Sequence, residues 1–156
     1  EGGISTPLIA HWPAGIAAKN EFRRQPGHVI DVMATVVDVA GAVYPQEFNG
    51  KAIRPMEGRS LVPAFADKPI AREAIYWEHE GNAAVRQGDL KLVRQGRNGP
   101  WELYDLKVDR TELHDLAQSQ PEKAKELATL WRAWAERAQV LPAPGAKGGK
   151  KKAKKK

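Results

Sequence analysis

A period-two run followed by a period-3.6 run sets most of what this chain can fold into. In residues 101–106, Trp101, Leu103 and Asp105 point one way from an extended backbone and Glu102, Tyr104 and Leu106 the other, which predicts a half-buried strand. In residues 121–138, Ala124, Leu127, Trp131, Trp134 and Ala138 share one helical stripe, with Leu130 beside it. Pro121 suits a first helical turn and Glu122 the positive end of the helix dipole. Two tryptophans on one stripe could form a ligand platform, but they suit the core of a sheet–helix layer better. Between the two runs the sequence predicts a charged link with a short helical turn.

The segments before this pair supply strands for it. Residues 74–79 alternate, with Ile75, Trp77 and His79 on one side and Tyr76, Glu78 and Glu80 on the other. Gly81-Asn82 reads as a turn, 83–86 as the return strand, Gln87-Gly88-Asp89 as a second turn, and 90–94 as a third strand. Short turns between successive strands predict antiparallel neighbours. Further upstream, residues 4–10 are apolar and β-compatible, with Pro7 favouring an edge, and Trp12-Pro13-Ala14-Gly15 has turn chemistry. Residues 31–40 predict a helix with Asp31 as N-cap, Gly41 after its end, and Met33, Val36, Val37 and Ala40 on its buried face. Residues 44–69 read as an ordered connection, with one helical turn within 58–65 for which Ser60 is the candidate N-cap.

Charge separates the chain into two parts. Lys147, Lys150, Lys151, Lys152, Lys154, Lys155 and Lys156 fall within the last ten residues, and without these seven the formal charge of +6 drops to −1. The basic character belongs to an Ala/Pro/Gly/Lys tail, residues 142–156, that cannot bury apolar surface and is expected to be disordered. Weak, salt-sensitive polyanion binding is expected of the tail, and no nucleic-acid face on the folded part. The chain holds no cysteine, which excludes disulfides and thiolate metal sites. No apolar run reaches membrane-spanning length. It opens on Glu1, so a processed chain or a piece of a longer one is expected.

Catalytic signatures are sparse. The sequence carries no Gly-rich phosphate loop, His-x-x-x-His pair or nucleophile elbow. His28, just before the first helix, suits a loop or capping role. The one dense polar cluster is Glu78-His79-Glu80-Gly81-Asn82 at a hairpin tip. Two carboxylates around an imidazole would suit acid/base chemistry or a metal edge, but Glu78 and His79 face opposite ways on a regular strand. The tip is therefore either a solvated turn or a ligand edge. In the second case His79 is the contact residue and Asn82 the second choice, with Asn82 also suited to a positive φ in the turn.

Glu1-Gly2-Gly3-Ile4-Ser5-Thr6-Pro7-Leu8-Ile9-Ala10-His11-Trp12-Pro13 resembles the stretch of sulfatases that begins Glu-Gly-Gly and runs through an apolar strand to Trp-Pro. Asp31-Val32-Met33-Ala34-Thr35-Val36-Val37-Asp38-Val39-Ala40-Gly41 resembles the helix that follows, with alanine at position 34 where proline is common. Gly58-Arg59-Ser60-Leu61, Gly88-Asp89-Leu90-Lys91-Leu92-Val93 and Glu102-Leu103-Tyr104-Asp105-Leu106 keep the family's order, so the resemblance spans residues 1–140. It implies the C-terminal part of an arylsulfatase-type hydrolase of sulfate esters.

The implied fold is α+β. Residues 1–70 would end a large alkaline-phosphatase-like α/β sheet, and 71–141 would form a four-stranded antiparallel sheet with a packed helix. The implied enzyme uses calcium and a formylglycine made within a Cys/Ser-x-Pro/Ala-x-Arg motif. That motif does not occur here, and the family's relevant lysine precedes Glu-Gly-Gly, so no catalytic or metal residue carries over. The implied partners are an upstream catalytic domain and a sulfated small molecule or glycan, with His79 and Asn82 at the cleft edge and a periplasmic or secreted location. Two other classes stay open: a self-standing binding module with a polyanion-seeking tail, and a structural domain without ligand.

Overall fold

The computed structural model describes residues 1–17 and 20–141, so the expected disorder of the Lys-rich tail lies outside the described residues. The chain is α+β and divides into two compact units, Gly3–Glu73 in one, and Glu1–Gly2 with the chain from Ala74 onward in the other.

The second of these units is a meander with a helix laid on it. Strands β3 (Ile75–His79), β4 (Asn82–Gln87), β5 (Leu90–Arg94) and β6 (Trp101–Asp105) form one antiparallel sheet in sequence order. The register pairs Val85 with Tyr76 and Leu92, and Leu92 with Leu103, which stacks the apolar positions of successive strands on one face. Helix α3 (Pro121–Arg137) covers that face, burying Leu127, Trp131 and Ala135 against Ala83, Val85, Leu92 and Leu103. The predicted stripe holds, except that Ala135 rather than Ala138 closes it. Trp131 also donates its indole N–H to the carbonyl of Trp77 at 3.0 Å, which satisfies an acceptor on the edge strand. Trp134 stacks on Tyr76, with ring centroids 5.1 Å apart and planes within 5°.

The link between β6 and α3 holds no helical turn, contrary to expectation. Two aspartates organise it. Asp109 accepts the amides of Leu113 and His114 at 2.9 and 2.8 Å, and Asp115 accepts those of Leu103 and Ala117 at 2.9 and 2.8 Å. Carboxylates of this kind offer the backbone an alternative to helical bonding.

The unit Gly3–Glu73 holds α1 (Asp31–Val39), a two-stranded ribbon of β1 (Glu47–Phe48) and β2 (Lys51–Ala52), and the short α2 (Val62–Phe65). The ribbon was not expected, although Asn49-Gly50 between the strands is a strong hairpin signal; both residues have positive φ, 51° and 72°. The strand expected at 4–10 does not form, and every residue in it is exposed. A strand needs a ladder partner, no described strand pairs with it in a ladder, and Pro7 offers no amide.

Helix α1 differs from expectation in two ways. Ile30, not Asp31, occupies the N-cap, and Asp31 is the first helical residue and fully buried. The inward face carries the buried Asp31 and Ala34 and the half-buried Thr35, and Asp31, Thr35 and the exposed Asp38, at helical spacing, hold the loop 59–61. Asp31 accepts the Arg59 amide at 2.8 Å, Thr35 Oγ1 accepts the Leu61 amide at 2.9 Å, and Ser60 donates to Asp38 at 2.5 Å. Gly58 makes this approach possible, since a Cβ there would lie 2.1 Å from the Ile30 carbonyl oxygen. Met33 and Val36, expected inside, are exposed together with Val29, Val32 and Val39. Ser60 is not the cap of α2, which is Leu61, but its hydroxyl accepts the Val62 amide at 3.2 Å.

Candidate functional site

The hairpin end of the sheet gathers the residues singled out in the sequence. β3 turns into β4 through Glu80 and Gly81, with φ of 52° and 89°, so the turn lies one residue earlier than expected. Asn82 does not take a left-handed conformation; it opens β4 and pairs across the ladder with His79. A two-residue turn with two positive φ values matches the twist of the strands, and this register leaves Glu80, not Asn82, in the strained position. Glu78 is consumed locally, accepting the Gly81 amide at 2.8 Å. Asn82 Oδ1 accepts the amide of Gly96 at 2.8 Å, tying this tip to the loop between β5 and β6. A Cβ on Gly81 would lie 2.9 Å from the side chain of Arg97 in the same loop.

His79 and Asn82 therefore do share a face, and it is the one turned away from α3. Burial falls along β3 from Ile75, 4% exposed, to an exposed His79. Among the described residues no carboxylate pairs with His79, so the cluster does not assemble an acid/base pair. What it offers is an imidazole free to exchange hydrogen bonds with a ligand, and an amide anchored through its oxygen.

Farther down the same face lies a buried ionic network that the alternation did not reveal. Lys91, 2% exposed, sits between Glu1 at 2.9 Å and Glu112 at 2.7 Å. Burial pushes Glu112 up, but hydrogen bonding, led by Lys91, outweighs it and holds the carboxyl below its usual range. Nearby, Tyr104 donates to Glu102 at 2.9 Å. Burial first, and then that carboxylate, push the phenol up to about 12.

In the other unit, Asp31 is the focal charge. It accepts the amides of His28 and Arg59, both at 2.8 Å, and pairs with Arg72 at 2.5 Å. Burial raises its pKa, and the Arg72 and amide hydrogen bonds more than reverse that, leaving it below the usual range. His28 is pushed down, chiefly by burial, with Asp31 opposing. All of these contacts are structural: they fix the start of α1 against the loop 58–61.

The profile of the family "N-sulphoglucosamine sulphohydrolase, C-terminal" matches residues 1–139. The chain belongs to this family of C-terminal sulfatase domains. An uncharacterised sulfatase of Schizosaccharomyces pombe is 30% identical over 92% of this chain and 27% of its own length. The N-acetylglucosamine-6-O-sulfatase of Bacteroides thetaiotaomicron is 29% identical over 80% of the chain and 24% of its own. This sulfatase domain thus spans about a quarter of the length of these curated relatives. Among solved structures, a protein crystallised with k-i-k-neocarrahexaose superposes with a TM-score of 0.61 at 23% identity, covering 80% of the chain and 27% of that protein. The fold they share is the alkaline-phosphatase-like one, with the small antiparallel sheet and its C-terminal helix, and a putative sulfatase of Bacteroides thetaiotaomicron is among them, with a TM-score of 0.54 at 24% identity.

No group of three or more His, Cys, Asp or Glu that could hold a metal ion occurs among the described residues. The calcium ion implied by the resemblance finds no such group among these residues. No helix among the described residues is long and apolar enough to cross a membrane.

Proposed function

We propose that this chain is the C-terminal portion of an arylsulfatase-like enzyme that hydrolyses sulfate esters, with calcium and formylglycine supplied by the upstream part. Residues 1–70 end the catalytic α/β domain, 71–141 form the C-terminal subdomain, and 142–156 are a Lys-rich tail. The observation that carries the proposal is the family match across residues 1–139. Support for packing against an upstream domain comes from α1, whose exposed valines and Met33 form an unpartnered apolar face. The apolar residues Leu8 and Ile9 are likewise exposed, as expected of a strand awaiting its ladder.

The hairpin tip edges the substrate cleft in this proposal. His79, and secondarily Asn82, contact the organic part of a sulfated small molecule or glycan, leaving the sulfur chemistry to upstream groups. Similarity to a sulfatase named for an amino sugar supports a carbohydrate ester. The tail adds weak polyanion binding, and the enzyme is periplasmic or secreted. In the full-length enzyme, His79→Ala is expected to raise KM or alter preference among sulfate esters. The loss in kcat/KM should be about 0.5–1.5 kcal/mol, the worth of one ordinary hydrogen bond. Failure of the full-length enzyme to release sulfate from any ester would overturn the sulfatase assignment; unchanged kinetics of the variant across several esters would remove His79 from the cleft.

A further inference from the structure

On the helix-covered face, at the same end of the sheet, Arg94 has no ion-pair partner among the described residues. Arg94 ends β5 and pairs across the ladder with Trp101, the first residue of β6. Its guanidinium carbon lies 4.7 Å from the Trp101 ring centroid and 5.3 Å from that of Trp131 on α3. The two rings meet edge to face at 5.7 Å. Arg94 Nε is shielded from water and has no hydrogen-bond partner among the described residues. Three elements of secondary structure thus hold one guanidinium in a fixed orientation.

Among the described residues no carboxylate forms an ion pair with Arg94, and several on neighbouring elements have other partners. Glu78 holds the Gly81 amide, Asp105 holds the Lys107 amide, Glu126 pairs with Lys123 and Glu136 with Arg132. Shielding a guanidinium nitrogen without a hydrogen-bond partner is costly, and buried polar atoms left unpaired are uncommon enough to need a cause. An arginine fork takes two oxygens of a carboxylate or of a tetrahedral oxyanion in two parallel hydrogen bonds, and stacking on indole rings removes the rotamer freedom it would otherwise lose. Aromatic walls with a few fixed polar groups are the usual composition of a small-ligand site.

We propose that Arg94, braced by Trp101 and Trp131, is the seat of a subsite for an oxyanion of a glycan, either a sulfate ester or a uronate carboxylate. The proposal rests on the sulfatase assignment for the choice of a glycan as carrier. It concerns a different face from His79 and Asn82, and a group that binds substrate without taking part in ester cleavage.

The test uses the full-length enzyme as wild type, Arg94→Lys and Arg94→Met. Each is titrated with a sulfated disaccharide lacking a carboxylate, a sulfate-free uronate disaccharide and a neutral disaccharide, followed by tryptophan fluorescence. Because the guanidinium lies against two indoles, an anion bound there changes their emission. Wild type is expected to respond to at least one anionic sugar and not to the neutral one, and the responding arm identifies the oxyanion. Arg94→Met is expected to weaken that binding about tenfold or more, and Arg94→Lys, which keeps charge but not the fork, by somewhat less. KM for the sulfated oligosaccharide should rise by a similar factor, while turnover of a small aryl sulfate stays within about twofold. If Arg94→Met does not fold, Arg94→Lys alone decides. No fluorescence response, equal binding by the variants, or a lowered melting temperature with unchanged binding would each overturn the subsite and make Arg94 a structural residue. An enzyme that cleaves no sulfate ester yet binds the anionic sugar through Arg94 would sink the sulfatase assignment and leave the subsite standing.

Discussion

Asp31 shows how one side chain can hold a unit of structure together. Its carboxylate is fully buried and satisfies two backbone amides and Arg72. Asp31→Ala leaves these donors unpaired, so destabilisation of about 3–5 kcal/mol is expected, measured by urea denaturation. The sign of the pH dependence follows from its lowered pKa: the stabilisation is present above the ordinary carboxylate value and lost as the pH falls through the lower folded value. Acid unfolding should therefore be less steep in Asp31→Asn than in wild type. A wild-type slope retained in the variant would show that other carboxylates govern the transition. The same residue marks a limit of sequence reading. A helix-initial aspartate suggests a cap, and nothing local distinguishes a cap from a buried anchor whose partners lie 28 and 41 residues away.

Helix α3 is the element that commits the meander to one face. Trp131 is 4% exposed and combines apolar burial with a hydrogen bond to the edge strand, whereas Trp134 is only half-buried and stacks on Tyr76. Trp131→Ala is expected to cost about 3–5 kcal/mol, and Trp134→Ala clearly less. Equal losses in chemical denaturation would mean that the stripe, not the buried ring, sets stability. At the hairpin, Glu80→Gly should stabilise slightly, by less than about 1 kcal/mol, because it relieves a left-handed non-glycine residue. The strands, their order and the helix stripe were legible from period and turn residues. The turn position was not, because a shift of one residue between Glu80-Gly81 and Gly81-Asn82 is decided by the register with β4.

For the whole molecule, expected behaviour follows from what the chain does and does not contain. The chain alone is expected to release no sulfate from an aryl ester above a heat-killed control, since it carries no formylglycine motif. Removing the residues after Pro144 should abolish heparin retention and leave the melting temperature nearly unchanged, because all seven tail lysines follow that position. Retention by the truncated protein would place the polyanion contact on the folded surface instead.

Sequence alone determined the elements whose signal is carried by neighbours in the chain. The alternation in 75–94 and 101–105, the stripe on α3 and the charge break before the tail all follow from side-chain geometry within a few residues. Asn49-Gly50 carried its hairpin in the same local way. Tertiary structure decided which face of each element is used. It anchored α1 through the buried Asp31 and left its Met33 and Val36 exposed, left residues 4–10 without a ladder, and brought Arg94, Trp101 and Trp131 into one cluster. The physical reason is that periodicity reports that two faces differ, while the choice between them depends on the free energy of contacts with residues far along the chain.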